Sequence, residues 1–280
     1  MMTGLLKAAL LIAAVYSLLL ALLWWGQEKL LFYPQRLDPD HRFNVGSDVV
    51  ETWVDVPGAR LNSLHLRLPQ PDGVVFFIHG NAGSLDNWFV NIDFYRRTNF
   101  DLYMFDFRGY GKSSGKIQSQ AQLEADVRAA WASIAPQYEG LRKVFYGRSL
   151  GTGLATTLAV ETTPDLLALV SPYSSMVDVA RLHYAWVPSA LLRYPLRTDL
   201  ALPQVKSPIL LMHGGLDDLI PPSHSLALQA LVPQAQLLLV SQAGHGDIQN
   251  FKIYLTTLAA AMKGQPLPSP ESAPELQRLR

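Results

Sequence analysis

The stretch Val144-Phe145-Tyr146-Gly147-Arg148-Ser149-Leu150-Gly151, running on as TGLATTLAV to Val160, decides the reading of this chain. An apolar run stops at a glycine, a serine follows two residues later, a second glycine follows the serine by two, and a helix-forming run begins. A strand that turns sharply into a helix at a serine is the local context of a nucleophile elbow. The two glycines are explained by close approach, because a strand and the helix after it meet there without room for side chains. Gly-x-Ser-x-Gly alone recurs by chance, and its bland alternative is a glycine-rich turn with a solvent-exposed serine. The strand before it and the helix after it favour Ser149 as a nucleophile.

Outward from this point, continuous apolar runs recur at Val74–Ile78, Leu102–Phe107, Leu167–Val170, Ile209–Met212 and Leu237–Val240. Such runs suit strands covered on both faces, as in a parallel sheet. Glu51–Val56 and Leu61–Leu68 alternate around Pro57-Gly58 and predict an antiparallel pair at one edge. Helical patterns fall between the runs at Ser119–Ile134, where Ser119 and Gln122 form a capping pair, and at Leu150–Val160, Ser223–Leu231 and Asn250–Met262. Alternating buried strands and helices predict an α/β domain around a mostly parallel sheet of eight strands.

A serine hydroxyl needs a base, and the base needs a group to orient it. In strand–turn–helix serine sites the acid and then the histidine follow the nucleophile along the chain. Four histidines follow Ser149: His183, His213, His224 and His245. His245, in Ala243-Gly244-His245-Gly246-Asp247 just past the last apolar run, has the glycine-flanked loop a base requires. His213 closes a strand and reads as a packed turn residue. Between serine and histidine, Gly214-Gly215-Leu216-Asp217-Asp218 offers two carboxylates, of which Asp217 is favoured over Asp218. Asp178 and Asp199 read as structural. An oxyanion is held by backbone N–H groups; Leu150, directly after the serine, and Asn81, in the loop His79-Gly80-Asn81-Ala82-Gly83, are the expected donors. Asp106 and Arg108, in the glycine-rich segment Asp106–Gly115, are expected to bond internally; that segment lacks the spacing of a phosphate loop.

Lys and Arg total 23 against 23 Asp and Glu, so net charge gives no reason to expect a nucleic-acid partner. The chain has no cysteine, which excludes disulfides, zinc-thiolate sites and thiol catalysis. Ala8–Trp25 reads AALLIAAVYSLLLALLWW, uncharged and apolar on every face, with Trp24 and Trp25 at its end. It predicts a transmembrane anchor over residues 1–28. A cleaved signal peptide is the rival, disfavoured by the length of the run and the absence of a small-x-small site. Pro34 and Pro39 argue against helix in the connector Gly26–Asn44. The Pro- and Ser-rich segment 264–280 is expected to be a disordered tail.

HGNAGS, DFRGYGKSSG, GRSLG, HGGLDDLIPP and AGHGD, in this order and spacing, resemble the α/β-hydrolase superfamily, in particular its serine-aminopeptidase-like branch with membrane-anchored members. The resemblance runs from about Leu30 to Met262. It implies an α/β-hydrolase domain over residues 29–263, a short cap over about 173–204, a triad of Ser149, Asp217 and His245, oxyanion donors at Asn81 and Leu150, and neither metal nor organic cofactor. Cap residues Tyr173, Tyr184, Trp186 and Tyr194 are the expected pocket walls. The implied activity is hydrolysis of carboxylic esters or thioesters, of small-molecule, lipid or acyl-protein substrates, through an acyl-serine. A serine peptidase or amidase is the alternative, as is a non-catalytic membrane-tethered scaffold. The expected setting is a single-pass position in a bacterial inner membrane, with the side of the domain left open.

Overall fold

A computed structural model describes residues 2–267 of the chain. The first helix, α1 (Met2–Leu31), is long and apolar enough to cross a membrane. It continues past Gly26, through the first part of the connector expected to be non-helical. The prolines act only beyond Leu31, where Tyr33–Pro34 pairs in parallel with Ala82–Gly83.

Eight strands form the central sheet: β1 (Val49–Val56), β2 (Ala59–Leu66), β3 (Gly73–Ile78), β4 (Phe100–Phe105), β5 (Arg142–Arg148), β6 (Leu166–Val170), β7 (Ile209–Gly214) and β8 (Gln236–Val240). Their spatial order is β8-β7-β6-β5-β3-β4-β2-β1. All neighbours from β8 to β4 are parallel, and β2 and β1 complete the edge in antiparallel fashion, as the alternating segments predicted.

Both faces of the sheet are covered, which is why its strands read as continuous apolar runs. Phe76, Phe105, Phe145, Leu169 and Leu211 point to one face, with α4 (Gln120–Ile134), α5 (Gly151–Thr162) and α8 (Ser223–Leu231). Phe77, Met104, Tyr146, Ala168 and Met212 point to the other, with α2 (Leu85–Trp88), α3 (Ile92–Thr98) and α9 (Lys252–Met262). Successive residues alternate faces because the side-chain period of a strand is two. Ser119 caps α4, its hydroxyl accepting from the Gln122 N–H at 3.1 Å.

The cap between β6 and β7 contains α6 (Met176–His183), a short 3₁₀ turn at Ser189–Leu191 and α7 (Thr198–Ala201). Beyond α9, the Gly264 and Gln265 N–H groups bond back to Ala261 and Ala260. Residues 268–280, most of the segment expected to be a disordered tail, lie outside the described residues.

From β3 the chain moves outward to β4 and then returns to the opposite side of β3 as β5. The connections leaving β3 and β5 therefore diverge, opening a crevice at their carboxyl ends, the place where open α/β sheets bind ligands.

Candidate active site

Ser149 sits immediately beyond β5 with φ of 49°. This left-handed conformation is uncommon for a residue with a Cβ and is held by its surroundings. The Ser149 N–H bonds to Val170 O at 2.9 Å, and its carbonyl accepts from the Thr152 hydroxyl at 2.7 Å. The flanking glycines have structural reasons. A Cβ on Gly147 would lie 2.6 Å from the Thr152 Cα, and one on Gly151 would lie 2.1 Å from the Ile78 carbonyl oxygen. The tight approach of β3, β5 and α5 thus excludes side chains at both positions and leaves the serine at the crest of the turn.

The His245 ring approaches from the loop after β8, with Nε2 3.1 Å from the Ser149 Oγ. Its Nδ1 lies 2.8 Å from Oδ2 of Asp217, which stands in the turn after β7. A carboxylate accepts, so Nδ1 carries the hydrogen and Nε2 is left to take the serine proton. Asp217 is fully buried, whereas about a fifth of the His245 side chain is exposed. Burial alone would raise the Asp217 pKa. Hydrogen bonds from His213, His245 and the Ile220 N–H outweigh it and hold the carboxyl well below the usual carboxylate range. The charge beside His245 is therefore fixed.

Asp218, the other candidate acid, is exposed. Asp178 is bonded to Ser174 and Ser175, and Asp199 to Arg197. His213 is buried between Ser225 and the Ile220 carbonyl, and its Nε2 also lies 3.2 Å from Asp217. It supports the acid from behind.

The loop after β3 lies against the serine: a Cβ on Gly80 would be 3.6 Å from the Ser149 Cβ. Asn81 is anchored through its other groups, its carbonyl accepting from Tyr33 N–H and the Tyr110 hydroxyl and its side chain donating to Leu31 O. Among the described residues, neither the Asn81 nor the Leu150 N–H donates to a protein acceptor. His79, behind this loop, is fully buried against Phe107.

Two features escape sequence reasoning. Arg148, the variable residue before the serine, is buried and donates to the His245 carbonyl, tying the histidine loop to the elbow. No sequence signal marks a bond between residues 97 positions apart. The second is a cavity of about 210 Å³ beside His245, walled by Phe77, Trp88, Phe94, Tyr146, Arg148 and Tyr254 among others. These walls belong to the sheet, α2, α3 and α9. The cap aromatics expected there lie elsewhere: Tyr173 is buried with its hydroxyl on the Leu150 carbonyl, Tyr194 is buried against Phe32, and Tyr184 and Trp186 face outward. The cap packs on the opposite face of the sheet, where Tyr173, Tyr194, Leu196 and Leu202 join the core with α4, α5 and α8, so the wall falls to α2, α3 and α9. Among the described residues no group of His, Asp and Glu could hold a metal ion.

Residues 69–197 match the family model described as serine aminopeptidase. An uncharacterized protein of Mycobacterium tuberculosis is 31% identical over 249 residues, spanning 84% of this chain and 86% of its own length. Alpha/beta hydrolase domain-containing protein 17C of Xenopus tropicalis is 33% identical, spanning 75% of this chain and 69% of its own. Among solved structures, an esterase of Pyrococcus furiosus superposes with a TM-score of 0.64 at 18% identity, covering 84% of this chain and 97% of the esterase.

Proposed function

The chain belongs to the α/β-hydrolase superfamily, and from that premise we propose that it is a serine hydrolase cleaving carboxylic esters or thioesters through an acyl-serine. One observation carries the reading: the hydrogen-bonded sequence from the Ser149 hydroxyl to the His245 imidazole to the buried Asp217 carboxylate. Ser149 Oγ attacks the acyl carbon as His245 Nε2 takes its proton. The N–H groups of Asn81 and Leu150 hold the resulting oxyanion. Collapse breaks the bond to the alcohol or thiol, which leaves with the proton from His245. Water, deprotonated by the same nitrogen, then releases the carboxylic acid and regenerates Ser149. Asp217 orients the ring and stabilises the imidazolium in both halves. No step needs a metal or an organic cofactor.

The peptidase reading has weaker support. An aminopeptidase needs an acidic group for the substrate's ammonium, and the cap carboxylates Asp178 and Asp199 are already engaged by serines and arginines. The apolar walls of the cavity beside His245 favour an acyl or other hydrocarbon group. We take α1 as a single-pass membrane anchor, which makes amphipathic acyl substrates at a membrane surface the natural class.

A panel of p-nitrophenyl esters, acyl thioesters and aminoacyl p-nitroanilides tests this. The expected result is a kcat/KM for esters or thioesters at least about 10²-fold above the anilides, rising with acyl length, and lowered about 10³-fold or more by His245→Ala. Preference for the anilides would replace the proposal with the peptidase.

A further inference from the structure

Contacts between α1 and the cap run in step along both. Glu28 pairs with Arg193 at 2.6 Å and accepts from the Tyr194 hydroxyl at 2.8 Å. One residue earlier, Gln27 donates to the Leu191 carbonyl and accepts from the Arg193 N–H, both at 2.8 Å. Far up the helix, the Tyr16 hydroxyl donates to the Trp186 carbonyl at 2.9 Å. At 1.5 Å rise per residue, Tyr16 lies about 18 Å along the axis from Glu28. The cap segment therefore follows the helix from its polar end to the middle of its uncharged run, Ala8–Trp25.

That segment has the composition for such a place. Residues 182–192, LHYAWVPSALL, carry no Asp, Glu, Lys or Arg and are bracketed by Arg181 and Arg193. Leu182, Tyr184 and Trp186 are each at least half exposed. Backbone groups must be satisfied internally where water is absent. Part of that requirement is met here: the N–H groups of Tyr184, Val187, Leu191 and Leu192 bond to carbonyls three or four residues back, and Tyr16 takes the Trp186 carbonyl. Of the two bracketing arginines, Arg193 closes onto Glu28 at the polar end of α1, while Arg181 is exposed, a long cationic side chain able to reach a headgroup layer from an apolar stem.

We propose that residues 182–192 form a second membrane contact, immersed beside α1 in the leaflet that receives the carboxyl-terminal half of that helix. The occupant of this apolar surface is lipid, because the surface continues directly from the face of α1. The domain is then held at two points and fixed in orientation on the bilayer. The proposal rests on α1 spanning the membrane, and its test separates the two.

With no native cysteine in the chain, single cysteines can be introduced into the full-length protein without background. Leu11→Cys, Trp186→Cys, Leu182→Cys and Glu139→Cys, each nitroxide-labelled in phosphatidylcholine–phosphatidylglycerol vesicles, are compared by power saturation with oxygen and a nickel chelate. Variants are read when they keep the wild-type circular dichroism, and position 182 stands in if position 186 fails to fold. Labels at 186 and 182 are expected to favour oxygen collisions as position 11 does, while exposed Glu139 favours nickel. Nickel-dominated 186 and 182 beside an oxygen-dominated position 11 would overturn the second contact and leave the anchor standing. A nickel-dominated position 11 would overturn both.

Discussion

Ser149 is held in a backbone conformation that costs a non-glycine residue on the order of 1–2 kcal/mol. Its neighbours maintain it: the hydrogen bonds through its N–H and carbonyl and the two crowded glycines leave no relaxed alternative. A second strained arrangement stands behind the loop that follows β3. His79 Nδ1 donates to the Gly80 carbonyl, leaving Nε2 a bare acceptor 3.5 Å from the buried Asp106. Burial pushes Asp106 up to about 8 despite the Leu85 N–H it accepts, and burial pushes His79 down to about 4. A neutral Asp106 can turn its hydrogen toward Nε2; an ionised one faces it acceptor to acceptor. Because the folded pKa lies above the unfolded value near 4, the folded state binds the extra proton between them. This contribution to stability is complete below about pH 4 and is lost as pH rises through about 8. Asp106→Asn keeps a donor at every pH. The Tm of the variant relative to wild type should therefore climb from pH 5 to pH 9; a constant difference would refute the assignment.

At the scale of elements, the elbow depends on β3, β5 and α5 packing backbone to backbone. Gly151→Ala sets a methyl group against the Ile78 carbonyl, and the two elements must part to admit it. Overpacking of this kind costs about 1–3 kcal/mol. The variant should show a clear drop in Tm, and weaker turnover as Leu150 and Asn81 move apart. Gly246→Ala, whose methyl group meets nothing within 4 Å, should leave Tm within a degree or two. Equal effects at the two positions would contradict the packing account. Much of this level was legible in the sequence because its causes are local: the glycines around Ser149, the period-two and continuous strands, and the Ser119 cap. The extension of α1 beyond Gly26 was not. That last turn is supported by Gln27 and Glu28 meeting residues 191–194, more than 160 positions away. Long-range contacts of this kind override local propensity and leave no periodic trace.

For the molecule as a whole, parallel strands gather their carboxyl ends on one edge, so loops distant in sequence meet there. This explains why Asp217 and His245, each in a glycine-bearing loop after a strand, could be singled out without coordinates. The pocket could not, since its walls come from α2, α3, α9 and Arg148 and share no motif. The same edge brings Ser149 within 3.1 Å of His245 and joins them to Asp217. The most direct test of the account is reaction of the full-length protein with a fluorophosphonate probe, which captures a serine only when it is activated for attack. Wild-type protein should label covalently and stoichiometrically, with the adduct on the Ser149 peptide and no label on Ser149→Ala. An unlabelled wild type, or a Ser149→Ala protein labelled as strongly as wild type, would contradict it.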